Sequence, residues 1–261
     1  MMKWRTFTVL WVFAVAILLF AKRHNVVASP MSVNTILDLT HAMSESSPTW
    51  DSSEKYTAKS TANHEQNGFY ARELTMPEHF GTHIDAPAHY AQGLWTVDQI
   101  PTERLVRPLA VIDVSKKARD NADYLLTVAD VAAWEDVHGH IPYGAVVVMR
   151  SGWGERWNNP KAFRNSDAHG TLHFPGFSVE AAQFLVEARN VVGIGTDTMS
   201  VDRGTSQDFP VHQYCARQSV YHLENVANLE VTPESGATLV VAPAKFEHGS
   251  GAPARLLAML K

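Results

Sequence analysis

Apolar positions along this chain fall into two rhythms. Short, mostly apolar runs occur at Ile36-Leu37-Asp38-Leu39, Leu109–Val114, Ala145–Met149, Val191–Gly195 and Ala237–Val241. Their length and β-branched content predict strands. Val179, Ala182, Leu185 and Val186 recur at helical spacing behind Ser178, which predicts a helix from a Ser cap to about Arg189. Thr127, with Asp130 in the first turn, predicts a second helix running to about His138 and stopped by Gly139. His41 to Ser53 reads as a polar loop, and Gly68 to Leu74 as extended chain. Residues 151–176 carry Gly152, Gly154, Gly170, Trp153, Trp157 and two prolines, and are expected to form a long, irregular, functional loop. Strands interleaved with helices predict an α/β fold.

The first residues follow neither rhythm. Lys3 and Arg5 precede Thr6–Ala21, a stretch without charge. It is shorter than the ~20 residues that span a bilayer. Basic, apolar and then small residues, ending at Ala28, read as a secretory signal over residues 1–28, with an uncleaved anchor as the alternative. The mature protein is then residues 29–261, a single domain that is exported, periplasmic or secreted. Residues 1–28 hold Lys3, Arg5, Lys22 and Arg23 and no carboxylate, so their removal takes the formal charge from −5 to −9. That balance argues against nucleic acid and, after cleavage, against a membrane surface as partners. The single cysteine, Cys215, leaves no internal disulfide, so stability must come from the core.

The chemistry concentrates in His79-Phe80-Gly81-Thr82-His83-Ile84-Asp85-Ala86-Pro87-Ala88-His89. Three imidazoles and a carboxylate lie at even separations, which places them on one face of an extended chain. On a helix at ~100° per residue they would scatter, and Gly81 and Pro87 oppose a helix. Eleven extended residues span ~30 Å, so the chain must bend, and Gly81 and Pro87 are where it can. The expected product is a one-sided nest of N and O ligands, suited to Zn²⁺, with Mn²⁺ or Fe²⁺ as alternatives. Without cysteine, a closed structural zinc site is disfavoured. Such an ion can lower the pKa of bound water toward ~7 and polarise a carbonyl.

Competing motifs fail. No His-Glu-x-x-His and no Gly-x-Ser-x-Gly occur, and Gly193-x-Gly195-x-x-Thr198 lacks the third glycine of a dinucleotide loop. Asp197, Ser200 and Asp202 follow a predicted strand, where they either support ligand histidines or serve ordinary turn chemistry. Trp50, Trp95, Trp153 and Trp157 either line a pocket for a flat substrate or simply pack.

The string His79-x-Gly81-Thr82-His83-x-Asp85-x-Pro87-x-His89 resembles the signature of the cyclase-like metal-dependent hydrolases, which include kynurenine formamidases (arylformamidases) and isatin hydrolases. The likeness runs from about Ile36 to Leu260, with Gly195–Asp202 similar to a family turn and His212 and Glu224 to its downstream metal pair. It implies a mixed β-sheet core flanked by helices, of swivelling β/β/α-like architecture, and a homodimer. It implies a first ion on His79, His83 and Asp85, and, where a second ion is present, that ion on Asp85, His89, His212 and Glu224. His89 doubles as the general acid/base. The implied reaction is hydrolysis of a C–N amide bond in a small aromatic substrate. An isatin-type cyclic amide, imide or lactone is the alternative, and a non-catalytic periplasmic metal- or ligand-binding protein is the rival outside enzymology.

Overall fold

The computed structural model describes residues 33–261 except 52, 54 and 55, so the secretory-signal segment lies outside the described residues. In chain order the elements are β1 (Thr35–Asp38), β2 (Thr57–Ala62), α1 (His64–Asn67), β3 (Ala71–Thr75), β4 (His83–Asp85), β5 (Val106–Asp113), α2 (Ser115–Asp120), β6 (Leu125–Leu126), α3 (Val128–His138), β7 (Val146–Arg150), α4 (Pro160–Arg164), β8 (Gly176–Phe177), α5 (Val179–Arg189), β9 (Gly193–Thr196), α6 (Pro210–Arg217), β10 (Tyr221–Glu224), β11 (Ala237–Pro243) and β12 (Gly251–Leu260). Short 3₁₀ turns join several of them.

The main sheet runs β1-β12-β11-β5-β7-β9-β10-β4, and β4 also pairs with β12. That last pairing closes seven strands into a ring, with β1 added beside the far end of β12. β5, β7, β9 and β10 are parallel neighbours, and the remaining pairs are antiparallel. The expected mixed α/β architecture is therefore present as a barrel-like sheet with helices on its outside.

Period-two alternation explains the two cores. Leu109 and Val111 of β5, Val146 and Val148 of β7 and Leu223 of β10 point into the ring. Ala110, Ile112, Val147, Met149 and Ile194 point outward against Val131 and Trp134 of α3, Leu185 of α5 and Val211 and Cys215 of α6. Val146 to Met149 are wholly buried because both faces of β7 are covered. Each such side chain contributes about 1.5–3 kcal/mol of burial.

The predicted helices hold. Thr127 and Asp130 cap α3 reciprocally and Gly139 ends it, while Ser178 accepts from the Ala181 N–H to start α5. Residues 151–176 are less irregular than expected, because α4 and a 3₁₀ turn at Trp153–Arg156 fold within them around Phe163 and Phe174. The extended stretch near Gly68–Leu74 is β3, paired in a hairpin with β2, whose polar sequence hid it.

Candidate metal centre

The bend expected in the histidine run is real. Gly81 takes φ +66°, a left-handed value cheap only for glycine, and turns the chain into β4. Pro87 opens a 3₁₀ turn that ends at His89. On β4, Ile84 enters the interior core, so His83 and Asp85 face outward. β10 lies antiparallel beside it with His222 opposite Asp85 and Glu224 opposite His83, which puts all four side chains on one face. Helix α6 covers that face and delivers His212. β12 flanks the other side, where Gly251 sits opposite Asp85. A Cβ at Gly251 would come within 2.6 Å of the His79 ring, so glycine makes room for that imidazole.

The nitrogens define the centre. His79 Nδ1 lies 2.6 Å from Asp85 Oδ1 and His83 Nε2 3.2 Å from the same oxygen. His83 Nε2 is also 3.4 Å from Glu224 Oε2. His212 Nε2 lies 3.2 Å from Asp85 Oδ2 and 3.1 Å from Glu224 Oε1. Each of these rings has its other nitrogen fixed from outside. His79 Nε2 meets Ser250 Oγ at 2.9 Å, and that hydroxyl donates to Glu78. His83 Nδ1–H donates to the Gly81 carbonyl, and His212 Nδ1–H to Asp202 at 2.7 Å. The arrangement fixes each ring's tautomer and aims one lone pair inward.

Asp202 has a further task. Phe209, which precedes α6, offers no side-chain cap. The Asp202 carboxylate instead accepts the backbone N–H groups of Val211 and His212. One side chain therefore satisfies the helix start and orients the His212 ring.

Electrostatics points the same way. Burial opposes an imidazolium at His83, yet hydrogen bonds to Asp85 and Glu224 override it and push its pKa up to about 10. His212 is also raised, by Asp202, Asp85 and Glu224 against burial. Burial would raise Asp85, but four surrounding imidazoles hold its carboxyl well below the usual range. Two neighbouring buried carboxylates thus demand positive charge, either as protons on imidazoles or as a cation. Neutral imidazoles and carboxylates with anchored outer nitrogens fit a divalent ion.

His89 differs from these rings. It leans over His79, with centroids 4.1 Å apart, and burial lowers its pKa to about 4. It lies on the wall of a cavity of about 330 Å³ that is also lined by Trp50, Tyr90, Met199, Ser200 and Phe209. Phe209 has φ +48°, an unusual left-handed value for a bulky residue, and the constraint projects its ring toward Trp50 at 5.7 Å. Arg164 of α4 grips the Thr49 and Trp50 carbonyls, so the 151–176 segment supports the cavity rim.

The other sequence candidates divide. Trp50 lines the cavity. Trp95 lies away from it beneath the Arg104 guanidinium, and Trp153 is buried among Trp157, Phe163 and Phe174. Ser200 borders the cavity, and its Oγ accepts from the Asp202 N–H. Asp197 accepts from the Ser151 hydroxyl and from the backbone N–H groups of Ser151 and Trp153. Sequence reading did not anticipate β10, β12 or α6, nor His222, Tyr90, Phe209 and the Glu78–Ser250 support. The alternation of His222 and Glu224 was the one available signal for His222.

The Cyclase family model matches residues 37–203. An isatin hydrolase of Roseibium aggregatum is 37% identical over 195 residues, covering 72% of this chain and 73% of that relative. A kynurenine formamidase of Geobacillus thermodenitrificans is 24% identical over 224 residues, covering 85% and 96%. The solved structure of isatin hydrolase A from Ralstonia solanacearum matches with a TM-score of 0.83 and 33% identity, covering 100% of both chains. With the convergent imidazoles and carboxylates on the outer barrel face, these matches lead to one conclusion: the chain belongs to the Cyclase family of metal-dependent hydrolases.

Proposed function

We propose that this protein hydrolyses the C–N amide bond of a small aromatic substrate, with Zn²⁺ as the ion and Mn²⁺ as the alternative. The observation that carries the reading is the set of three imidazoles, each tied outward through one nitrogen and inward toward Asp85 and Glu224 through the other. His79, His83 and Asp85 would hold the ion, which supplies a Lewis acid and lowers the pKa of water. His89, neutral at physiological pH, takes a proton from the attacking water and returns it to the leaving nitrogen. Trp50, Tyr90 and Phe209 give the cavity a wall against which a flat ring can stack. An aryl nitrogen is the better leaving group, which agrees with that wall.

An isatin-type cyclic amide is the second reading. Its support is the 37% and 33% identity to isatin hydrolases against 24% to the formamidase. A screen of the purified mature protein against N-formylkynurenine, isatin and simple lactones, each with Zn²⁺ and with Mn²⁺, separates the two. Replacing His89 by Ala tests the mechanism: hydrolysis is expected to fall by ~10²–10⁴-fold with the first ion retained. Unchanged hydrolysis removes His89 from the reaction. An ion-loaded protein without turnover on any of these substrates supports a binding protein.

Export and a homodimer belong to the same proposal. Export is supported by the basic-apolar-small pattern of residues 1–28, and the dimer by the family resemblance. Cell fractionation and light scattering test them.

A further inference from the structure

We propose that a cavity framed by Arg119, Arg150 and Arg156 binds a small organic dianion. The proposal does not depend on the metal-dependent reading above. The cavity measures about 450 Å³ and shares no lining residue with the one beside the imidazoles. That volume lies in the range of small-molecule sites and exceeds what one tetrahedral oxyanion fills. Three separate elements build it. Arg119 comes from α2, Arg150 from the last position of β7 and Arg156 from the 3₁₀ turn Trp153–Arg156, while Ser115 adds a hydroxyl. Gly152 takes φ +78° at the bend between Arg150 and Arg156. Asp197 fixes that bend by accepting the N–H groups of Ser151 and Trp153, so the frame is set before any ligand arrives.

The charges around this cavity are left open. Arg150 meets Asp113 at 3.3 Å, whereas the Arg119 and Arg156 guanidiniums pair with no carboxylate among the described residues. Arg150 Nε is buried and has no hydrogen-bond partner among the described residues. A buried donor without an acceptor is costly, and an incoming oxygen would relieve that cost. Arg156 lies over the Trp153 indole, with Cζ 3.6 Å from the ring centroid, which leaves its edge N–H groups as a fork. Burial lowers the Arg156 pKa, and the neighbouring Glu155 offsets only part of that. Glu155, on the same lining, is itself exposed to solvent. Two unpaired guanidiniums match two oxyanion groups, and the Arg150 Nε–H is a further donor.

Titration calorimetry of the full mature chain as purified tests this with succinate and glycerol 3-phosphate, and with acetate as the singly charged control. At least one dianion is expected to bind about tenfold or more tighter than acetate. Which one does so tells a dicarboxylate from a phosphate monoester. Arg119→Gln and Arg156→Gln are each expected to weaken that binding roughly 10–100-fold, with bound metal unchanged. An anion held by the metal centre would bind both variants as it binds wild type. Side-chain ¹H–¹⁵N spectra of wild type give a readout that does not depend on a variant folding: the Nε–H signals of Arg150 and Arg156 are expected to shift as the dianion is added. No preference for either dianion over acetate, equal binding by wild type and both variants, or unmoved Arg150 and Arg156 signals overturns the proposal.

Discussion

Asp85 is 1% exposed and Asp197 2%, and both sit at or just beyond a strand end. Their partners differ. Asp85 is surrounded by imidazoles on two sides, and its carboxyl is held well below the usual range. Asp197 is wrapped by the Ser151 hydroxyl and the N–H groups of Ser151 and Trp153, and burial outweighs these donors and raises its pKa. Equal burial therefore carries opposite consequences. Titratable nitrogens around a carboxylate make a place for a cation, whereas backbone donors around one make a clasp that holds a loop. The clasp still serves the centre at a distance, since the loop it fixes leads to α4 and the Arg164 grip on the cavity rim.

The largest effect expected to separate the two is at Asp85. Asp85→Asn alters the carboxylate that His79, His83 and His212 all face, and its loss of kcat/KM should exceed the ~10²–10³-fold typical of losing one oxyanion donor. Bound metal should disappear while far-UV circular dichroism stays native. Retained metal and turnover would break the comparison at its stronger end. Asp197→Asn should instead leave metal stoichiometry intact and lower stability by about 1–3 kcal/mol, because an amide NH₂ meets backbone N–H groups that need an acceptor. Chemical denaturation and metal analysis read both; metal lost from a folded Asp197→Asn protein would return Asp197 to the centre.

A smaller effect is expected at Trp50 on the cavity wall. Trp50→Ala is expected to raise KM about tenfold with little change in kcat, since the ring only offers stacking area. Little change in KM would remove Trp50 from the substrate wall.

The smallest effect is a pH dependence. Asp197 has a raised pKa in the folded state, so it favours folding most below its unfolded value near ~3.9 and loses that contribution as pH climbs through the folded value. The stability gap between ion-free wild type and Asp197→Asn should therefore be wider near pH 4 than near pH 7. A gap that widens with pH would show a carboxylate favoured by its donors.

Much of this was written in one dimension. The even spacing of His79, His83, Asp85 and His89 forecast a one-sided cluster, and Gly81 and Pro87 forecast its bends. The caps at Thr127 and Ser178 forecast α3 and α5 because capping is a contact between residues three apart. By contrast β2, β10, β12 and α6 were not legible. Thr57–Ala62 is polar, and Gly251–Leu260 opens with Gly-Ala-Pro, so neither carries a strand signal of its own. Trp95 and Trp153 resemble Trp50 in sequence, and only packing places one on the cavity and two elsewhere.

The sequence by itself determined the side-chain types gathered near position eighty, the common face of His83 and Asp85 on β4 and the α/β class, because these follow from side-chain chemistry and from periods of two and 3.6 residues. Tertiary structure alone decided that β10 would register His222 against Asp85 and Glu224 against His83, that α6 would bring His212 across 127 residues of chain to the same carboxylate, and that His89 would lean over the His79 ring. Strand register and helix docking depend on contacts between distant segments, and no local pattern encodes which segments will meet.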